Sequence, residues 1–191
     1  AAWVSAIKAA GQKYVIVTTK HHDGFCMFRT STTPFNVVDA TPFKRDVIKE
    51  FADECRKQGI VFCPYYSIGD WTADQVMDKR FTSYDAYMKA QLKELLTNYG
   101  DIKLVWFDNW WYVNNQYVND EPHAKDLYNY IKSVSPTTLV NDRCGTGAKG
   151  TDGDYSTPEN QLAGSKQARA FEVVMTNTDD DNWGWVKGAK N

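Results

Sequence analysis

Four short apolar runs each end in a polar cluster, and this repeated arrangement constrains the fold more than any other feature of the chain. Tyr14-Val-Ile-Val-Thr-Thr19 runs into Lys20-His21-His22-Asp23-Gly24-Phe25, and Ile60-Val-Phe-Cys-Pro64 runs into Tyr65-Tyr66-Ser67. Ile102-Lys-Leu-Val-Trp-Phe107 delivers Asp108, and Thr137-Thr-Leu-Val140 delivers Asn141-Asp142-Arg143. Parallel strands of an α/β barrel converge at their C-terminal ends, and that face carries the active site. Imidazoles, phenols, a carboxylate and a guanidinium are therefore expected in one pocket, which is an enzyme's arrangement.

Helix patterns separate these runs, as in successive βαβ units. The spacing predicts helices at about 2–11, 44–58 (stopped by Gly59), 80–99 (stopped by Gly100) and 122–134. Strands are predicted at 14–19, 60–65, 102–107 and 138–141, with a last one at about 170–175. Five strands fit either an open doubly wound sheet or an incomplete (β/α)8-like (TIM) barrel. No Gly-rich phosphate turn follows an early strand, as a nucleotide-binding sheet would require. Long segments do follow the strands, at about 20–43, 66–79, 108–121 and 142–169, as in barrel enzymes. The expectation is thus an α/β chain forming an incomplete (β/α)8-like barrel, with the glycines of 145–153 in a mobile part of the last loop.

The chain has 191 residues and a formal net charge of -2, which supplies no concentrated basic surface for a nucleic acid or an anionic membrane. No apolar run is long enough for a membrane span. The opening Ala1-Ala2-Trp3 carries neither Met nor a signal-like segment, so the chain reads as an internal fragment and its compartment is not legible there. Cys26, Cys55, Cys63 and Cys144 form no Cys-x-x-Cys pair and are expected to be free, buried thiols.

Asp108 ends a strand that is otherwise Leu-Val-Trp-Phe, with Trp106 two residues earlier on the same face. An apolar platform beside a carboxylate suits a sugar pocket. A nucleophilic carboxylate needs a partner acid for the leaving group, and the downstream candidates are Asp142, Asp152, Asp154, Glu159 and Glu172. Adjacent residues on a regular strand point to opposite faces, so His21 and His22 are not expected to chelate one ion, and no metal site is expected. Neutral imidazoles hydrogen-bonding sugar hydroxyls suit the surroundings better. Arg143 could do the same, anchor a carboxylate, or form a structural salt bridge.

Taken in order, Lys20-His21-His22-Asp23-Gly24-Phe25, Lys44-Arg45-Asp46, Tyr65-Tyr66-Ser67, Val105-Trp106-Phe107-Asp108, Asn141-Asp142-Arg143, Thr157-Pro158-Glu159 and Trp183-Gly184-Trp185 resemble family 29 glycoside hydrolases, the α-L-fucosidases. The resemblance runs nearly the whole length. It implies a (β/α)8-like catalytic domain that removes terminal α-L-fucose from oligosaccharides or glycoproteins with retention and without a cofactor. Asp108 matches the family nucleophile and Glu159 the acid/base, while His21, His22, Tyr65, Trp106 and Arg143 match fucose-binding positions. Trp183 matches an aromatic beside the sugar's methyl group. Asn109-Trp110-Trp111 follows the nucleophile where the family often has Gly. The resemblance further implies a secreted, periplasmic or lysosomal setting, with the first barrel strands and a C-terminal β-sandwich lying outside these 191 residues. The fragment alone is expected to be inactive. Two other readings remain open: a retaining barrel glycosidase of α-galactoside type, and a non-catalytic carbohydrate-binding relative. The oligomeric state is left open.

Overall fold

A computed structural model describes residues 1–108, 111–113, 116–118, 121–144, 153–160, 168–176, 183–184 and 186–188. Asn109, Trp110, Asp152, Trp185 and the glycine-rich run at 145–152 lie outside the described residues.

Helix α1 (Ala2–Ala9) precedes strand β1 (Tyr14–Lys20), whose β-branched run Val15-Ile-Val-Thr-Thr19 suits an extended, half-buried backbone. Helix α2 spans Val47–Gln58 and strand β2 spans Val61–Ser67. A single turn, α3 (Ala73–Val76), and the long helix α4 (Tyr84–Asn98) lead to β3 (Leu104–Asp108). The short strands β4 (Trp111–Val113) and β5 (Gln116–Val118) pair as an antiparallel hairpin, before α5 (Glu121–Val134) and β6 (Leu139–Val140).

The main sheet runs β1-β2-β3-β6 with every pairing parallel. Each crossover carries a helix, and one helix-facing core joins them: Val105 and Phe107 of β3 pack with Leu92 and Leu95 of α4 and Leu127 and Ile131 of α5. Pro64 sits inside β2 without breaking the sheet. It is paired with Val17 of β1, and β3 joins only at Tyr65, so the missing amide hydrogen falls where the β3 side is not yet laddered.

Three expectations need correcting. Helix α2 begins at 47 and not 44, because Lys44 takes a left-handed φ of 55° and Asp46 caps the helix by accepting from Lys49 N at 2.9 Å. Helix α4 begins at 84 and not 80, because Ser83 is its cap and accepts from Ala86 N. Residues 170–175 form no regular strand. They make isolated parallel bridges, Phe171 with Ser156 and Val174 with Glu159, to an extended segment that itself bridges to Asn141 through Tyr155. That segment, 153–160, lies in what the sequence suggested was one long loop. It packs tightly on β6: a Cβ at Gly153 would fall 2.3 Å from the Asn141 carbonyl oxygen, and Gly153 has φ 65°.

The four cysteines are free and buried, as expected. Burial pushes the Cys26 and Cys63 thiols up to about 12, so neither is a ready nucleophile at neutral pH.

Candidate active site

The site grows from the pleat. Ile16 and Thr18 of β1, Tyr65 of β2, and Trp106 and Asp108 of β3 occupy alternate positions and share one wall of a cavity of about 910 Å³. All eight residues singled out from sequence line that cavity: His21, His22, Tyr65, Trp106, Asp108, Arg143, Glu159 and Trp183. Glu172, Val174 and Gly184 complete it with Ile16 and Thr18. The strand-end clusters thus converge, and the segment 153–160 brings Glu159 to them.

Asp108 is held at both oxygens. The Tyr65 hydroxyl donates to Oδ2 at 2.5 Å, and Arg143 Nη1 donates to Oδ1 at 3.1 Å. Burial, and then the charge of Asp108, pushes the Tyr65 phenol far up, so it remains a donor to the carboxylate. Tyr65 lies stacked between His21 and Trp106, with ring centroids 5.8 and 5.4 Å away. Arg143 is itself locked in place. It lies over the Trp106 ring at 4.8 Å, and its Nε and Nη2 reach the Thr157 hydroxyl and carbonyl at 3.1 and 3.0 Å. Thr157 in turn donates its hydroxyl and amide to buried Asp142 at 2.6 and 3.0 Å. Asp142 therefore orients Arg143 through Thr157 and is not placed to act as an acid. Asp154 is likewise engaged elsewhere, with Lys132, Tyr128 and Val140 N.

Arg143 Nη1 also meets Glu159 Oε2 at 2.7 Å. One nitrogen thus touches both carboxylates, at 3.1 and 2.7 Å, and the two oxygens can be no farther apart than those distances combined. That limit holds the facing oxygens close together, which is compatible with the about 5–5.5 Å between carboxyl groups of retaining glycosidases. Glu159 does not, however, occupy the apolar niche expected of a carboxylic acid that keeps its proton. Its side chain is 40% exposed and ion-paired. Burial raises the carboxyl of Glu172, which also lines the cavity, above its ordinary value.

The histidine pair departs from the geometry expected of strand neighbours. Regular pairing of β1 breaks between Thr18 and Lys20, and the two histidines follow the end of the strand. Their rings lie 3.9 Å apart at 40°, on the same side. His21, His22 and Asp108 consequently present donor atoms within 4.8 Å of one another, the composition of a two-histidine, one-carboxylate metal set. The Arg143 guanidinium on Asp108, together with Tyr65 on its other oxygen, opposes a cation there.

The bulge at the end of β1 turns Lys20 away from the cavity. Lys20 is fully buried, donates to Asp70 Oδ2 at 2.9 Å and to the Tyr84 hydroxyl at 3.2 Å, and lies 4.5 Å above the Tyr66 ring. Asp70 and Thr72 also clamp Gly24, where φ is 76° and a Cβ would meet Thr72 Oγ1 at 2.3 Å. The turn that carries the histidines is therefore fastened to the segment after β2.

Ser67, at the end of β2, sets the chemistry of His22. Its hydroxyl donates to the Gly69 carbonyl at 2.6 Å, which can only accept. The 2.6 Å contact with His22 Nδ1 must then run from Nδ1–H to Ser67 Oγ. This assigns the proton to Nδ1 and leaves Nε2 as an acceptor, 3.8 Å from Asp108 Oδ2. Burial, and then the neighbouring His21, lowers the pKa of His22, which keeps the ring neutral. Ser67→Ala should release this tautomer. The expected result is loss of the Nδ1–H signature in the ¹⁵N spectrum of the full-length protein, with a rise in KM of about 3- to 10-fold, the worth of one hydrogen bond. An unchanged spectrum would refute the assignment. The signal that could have found Ser67 is its i+2 position after Tyr65.

The sequence pattern that defines the family described as alpha-L-fucosidase matches residues 1–191, the whole chain. The chain belongs to the α-L-fucosidase family. An α-L-fucosidase of Branchiostoma floridae is 33% identical over 98% of the chain and 43% of that protein, and the tissue α-L-fucosidase of Macaca fascicularis is 30% identical over 96% and 40%. Among solved structures, α-L-fucosidase isoenzyme 1 of Paenibacillus thiaminolyticus superposes with a TM-score of 0.80 at 33% identity, over 99% of this chain and 50% of that one. The fucosidase AlfC of Lactobacillus casei, in complex with α-L-fucose product, superposes at 0.78 with 28% identity, over 100% and 63%. The chain thus spans about two-fifths of the length of these curated relatives. The parallel sheet is part of a TIM barrel, which settles the choice between an open sheet and an incomplete barrel for this fucosidase segment. Among the described residues no helix is long and apolar enough to cross a membrane.

Proposed function

We propose that the 191 residues are the central part of a single (β/α)8 catalytic domain, and that the full-length protein is a retaining exo-α-L-fucosidase acting on fucosylated oligosaccharides or glycoproteins. The observation that carries this reading is the Arg143 nitrogen shared by Asp108 and Glu159, which brings the two carboxylates together in one cavity, compatible with retention. In this reading Asp108 attacks the anomeric carbon while the glycosidic C–O bond breaks, and Glu159 gives its proton to the departing oxygen. Water then attacks the fucosyl-enzyme, Glu159 takes its proton, and Asp108 is released. Arg143 and Tyr65 aim Asp108. His21, neutral His22 and Trp106 bind the ring, and Trp183 covers the methyl group. Fucose lacks a 6-hydroxyl, so an aromatic there disfavours galactose, whose hydroxyl would be buried without a partner.

For Glu159 to act as the acid, the arriving sugar must draw Arg143 away from it. The raised carboxyl of Glu172 supports a second assignment of the acid. The leaving group separates them. Glu159→Ala should lose about 10²–10⁴-fold on a fucoside with a poor leaving group and far less on 2,4-dinitrophenyl fucoside. If Glu172→Ala shows that asymmetry and Glu159→Ala does not, the acid is Glu172.

The reading as a whole is tested by the full-length protein on 4-nitrophenyl α-L-fucoside and α-D-galactoside. Turnover of the fucoside alone is expected. Preference for the galactoside would transfer the site to the α-galactoside class, and fucose binding without turnover would make the protein a carbohydrate-binding relative.

A further inference from the structure

We infer that Trp71 is a platform for the leaving-group sugar, so that the site takes a second pyranose ring beyond the fucose. The inference rests on the fucosidase reading above. Trp71 is 52% exposed, a large apolar surface to leave in water, and its ring lies 5.6 Å from that of His22 at the edge of the cavity.

Its mounting is what distinguishes it from an incidental surface aromatic. The Trp71 amide donates to the His22 carbonyl at 2.8 Å. Before it in the chain, Asp70 is held by the fully buried Lys20. After it, Thr72 donates its amide to Asp70 Oδ1 at 3.0 Å and its hydroxyl to the Asp23 carbonyl at 3.0 Å. Gly24 lies against Asp70 and Thr72 so closely that no side chain fits there. The backbone on both sides of an exposed indole is thus fixed to the turn that carries the histidines.

Fixing an exposed aromatic in this way lets it offer a ligand surface with little further ordering cost. An indole face suits the C–H face of a pyranose. Position argues for the leaving group over the fucose itself. The ring flanks His22 from outside, whereas Tyr65, Trp106 and Trp183 already line the cavity. The ligand class is a fucosylated sugar whose second ring extends from the pocket mouth across residues 70–72.

The test is equilibrium binding by calorimetry, with the full-length protein carrying Asp108→Ala to prevent hydrolysis. The probes are L-fucose and an α-L-fucosyl-N-acetylglucosamine disaccharide. Trp71→Ala should weaken the disaccharide about 3- to 10-fold, leave L-fucose affinity unchanged, and be largely restored by Trp71→Phe. Equal weakening of both sugars would make Trp71 a prop for His22 and overturn the platform. A disaccharide that binds no tighter than fucose, or is unaffected by the substitution, would overturn it too. If the wild-type protein binds fucose without hydrolysing fucosides, the catalytic reading fails while the Trp71 comparison still decides the platform. If neither sugar binds, both fail.

Discussion

Asp108→Ala in the full-length protein should reduce turnover of an aryl α-L-fucoside by about 10³-fold or more, because the attack on the anomeric carbon loses its nucleophile. Fucose affinity should change little. Tyr65 and Arg143 hold Asp108 from both sides, but each has further anchors: the stack on Trp106 for Tyr65, and Thr157 with Asp142 for Arg143. The pocket should therefore keep its shape without the carboxylate. A small nucleophile such as azide should restore part of the rate and give a fucosyl azide of inverted configuration. A variant with near-wild-type rates would remove Asp108 from its role.

Lys20→Met should cost on the order of 3–5 kcal/mol of stability, since it leaves Asp70 as a buried charge without its partner. The side chains of Lys20 and Asp70 are both fully buried, so solvent cannot take over the lost interaction. The loss is read as a lowered denaturant midpoint of the full-length protein. Pairing it with Asp70→Leu should recover much of the stability, because two apolar groups of suitable volume can replace a buried pair. The double variant separates packing from placement. If its stability returns while fucose affinity stays reduced, the ion pair is needed to set the histidine turn. If Lys20→Met alone is as stable as wild type, the buried pair is not the clamp described above.

Much of this site was legible in the sequence because strands alternate. Tyr65 and Ser67, and Trp106 and Asp108, fall two apart, and the apolar runs before them fix which end of the sheet they occupy. What escaped was whatever depends on contacts distant in sequence. The bulge that buries Lys20 and turns both histidines to one side follows from Asp70 and Tyr84, 50 and 64 residues away. The alternation argument against a shared histidine face failed for that reason. Gly153-Asp-Tyr-Ser-Thr-Pro-Glu159 is turn-like in composition, which points to a loop. Its extended course comes from bridges to Asn141 on one side and to Phe171 and Val174 on the other. The strands at 111–113 and 116–118 were legible only weakly, since each is three residues long, although Asn114-Asn115 between them are residue types suited to a two-residue turn. The ion pair between Arg143 and Glu159 had no signature at all in the sequence.

The measurement that bears most directly on the central claim is covalent trapping. The full-length protein would be incubated with 2-deoxy-2-fluoro-α-L-fucosyl fluoride, whose fluorine slows breakdown of the glycosyl-enzyme, and digested for peptide mass spectrometry. The account predicts one fluorofucosyl group per active site, on the peptide of strand β3 and at Asp108. A label on Glu159 or Glu172, or inactivation with no covalent adduct, would contradict it.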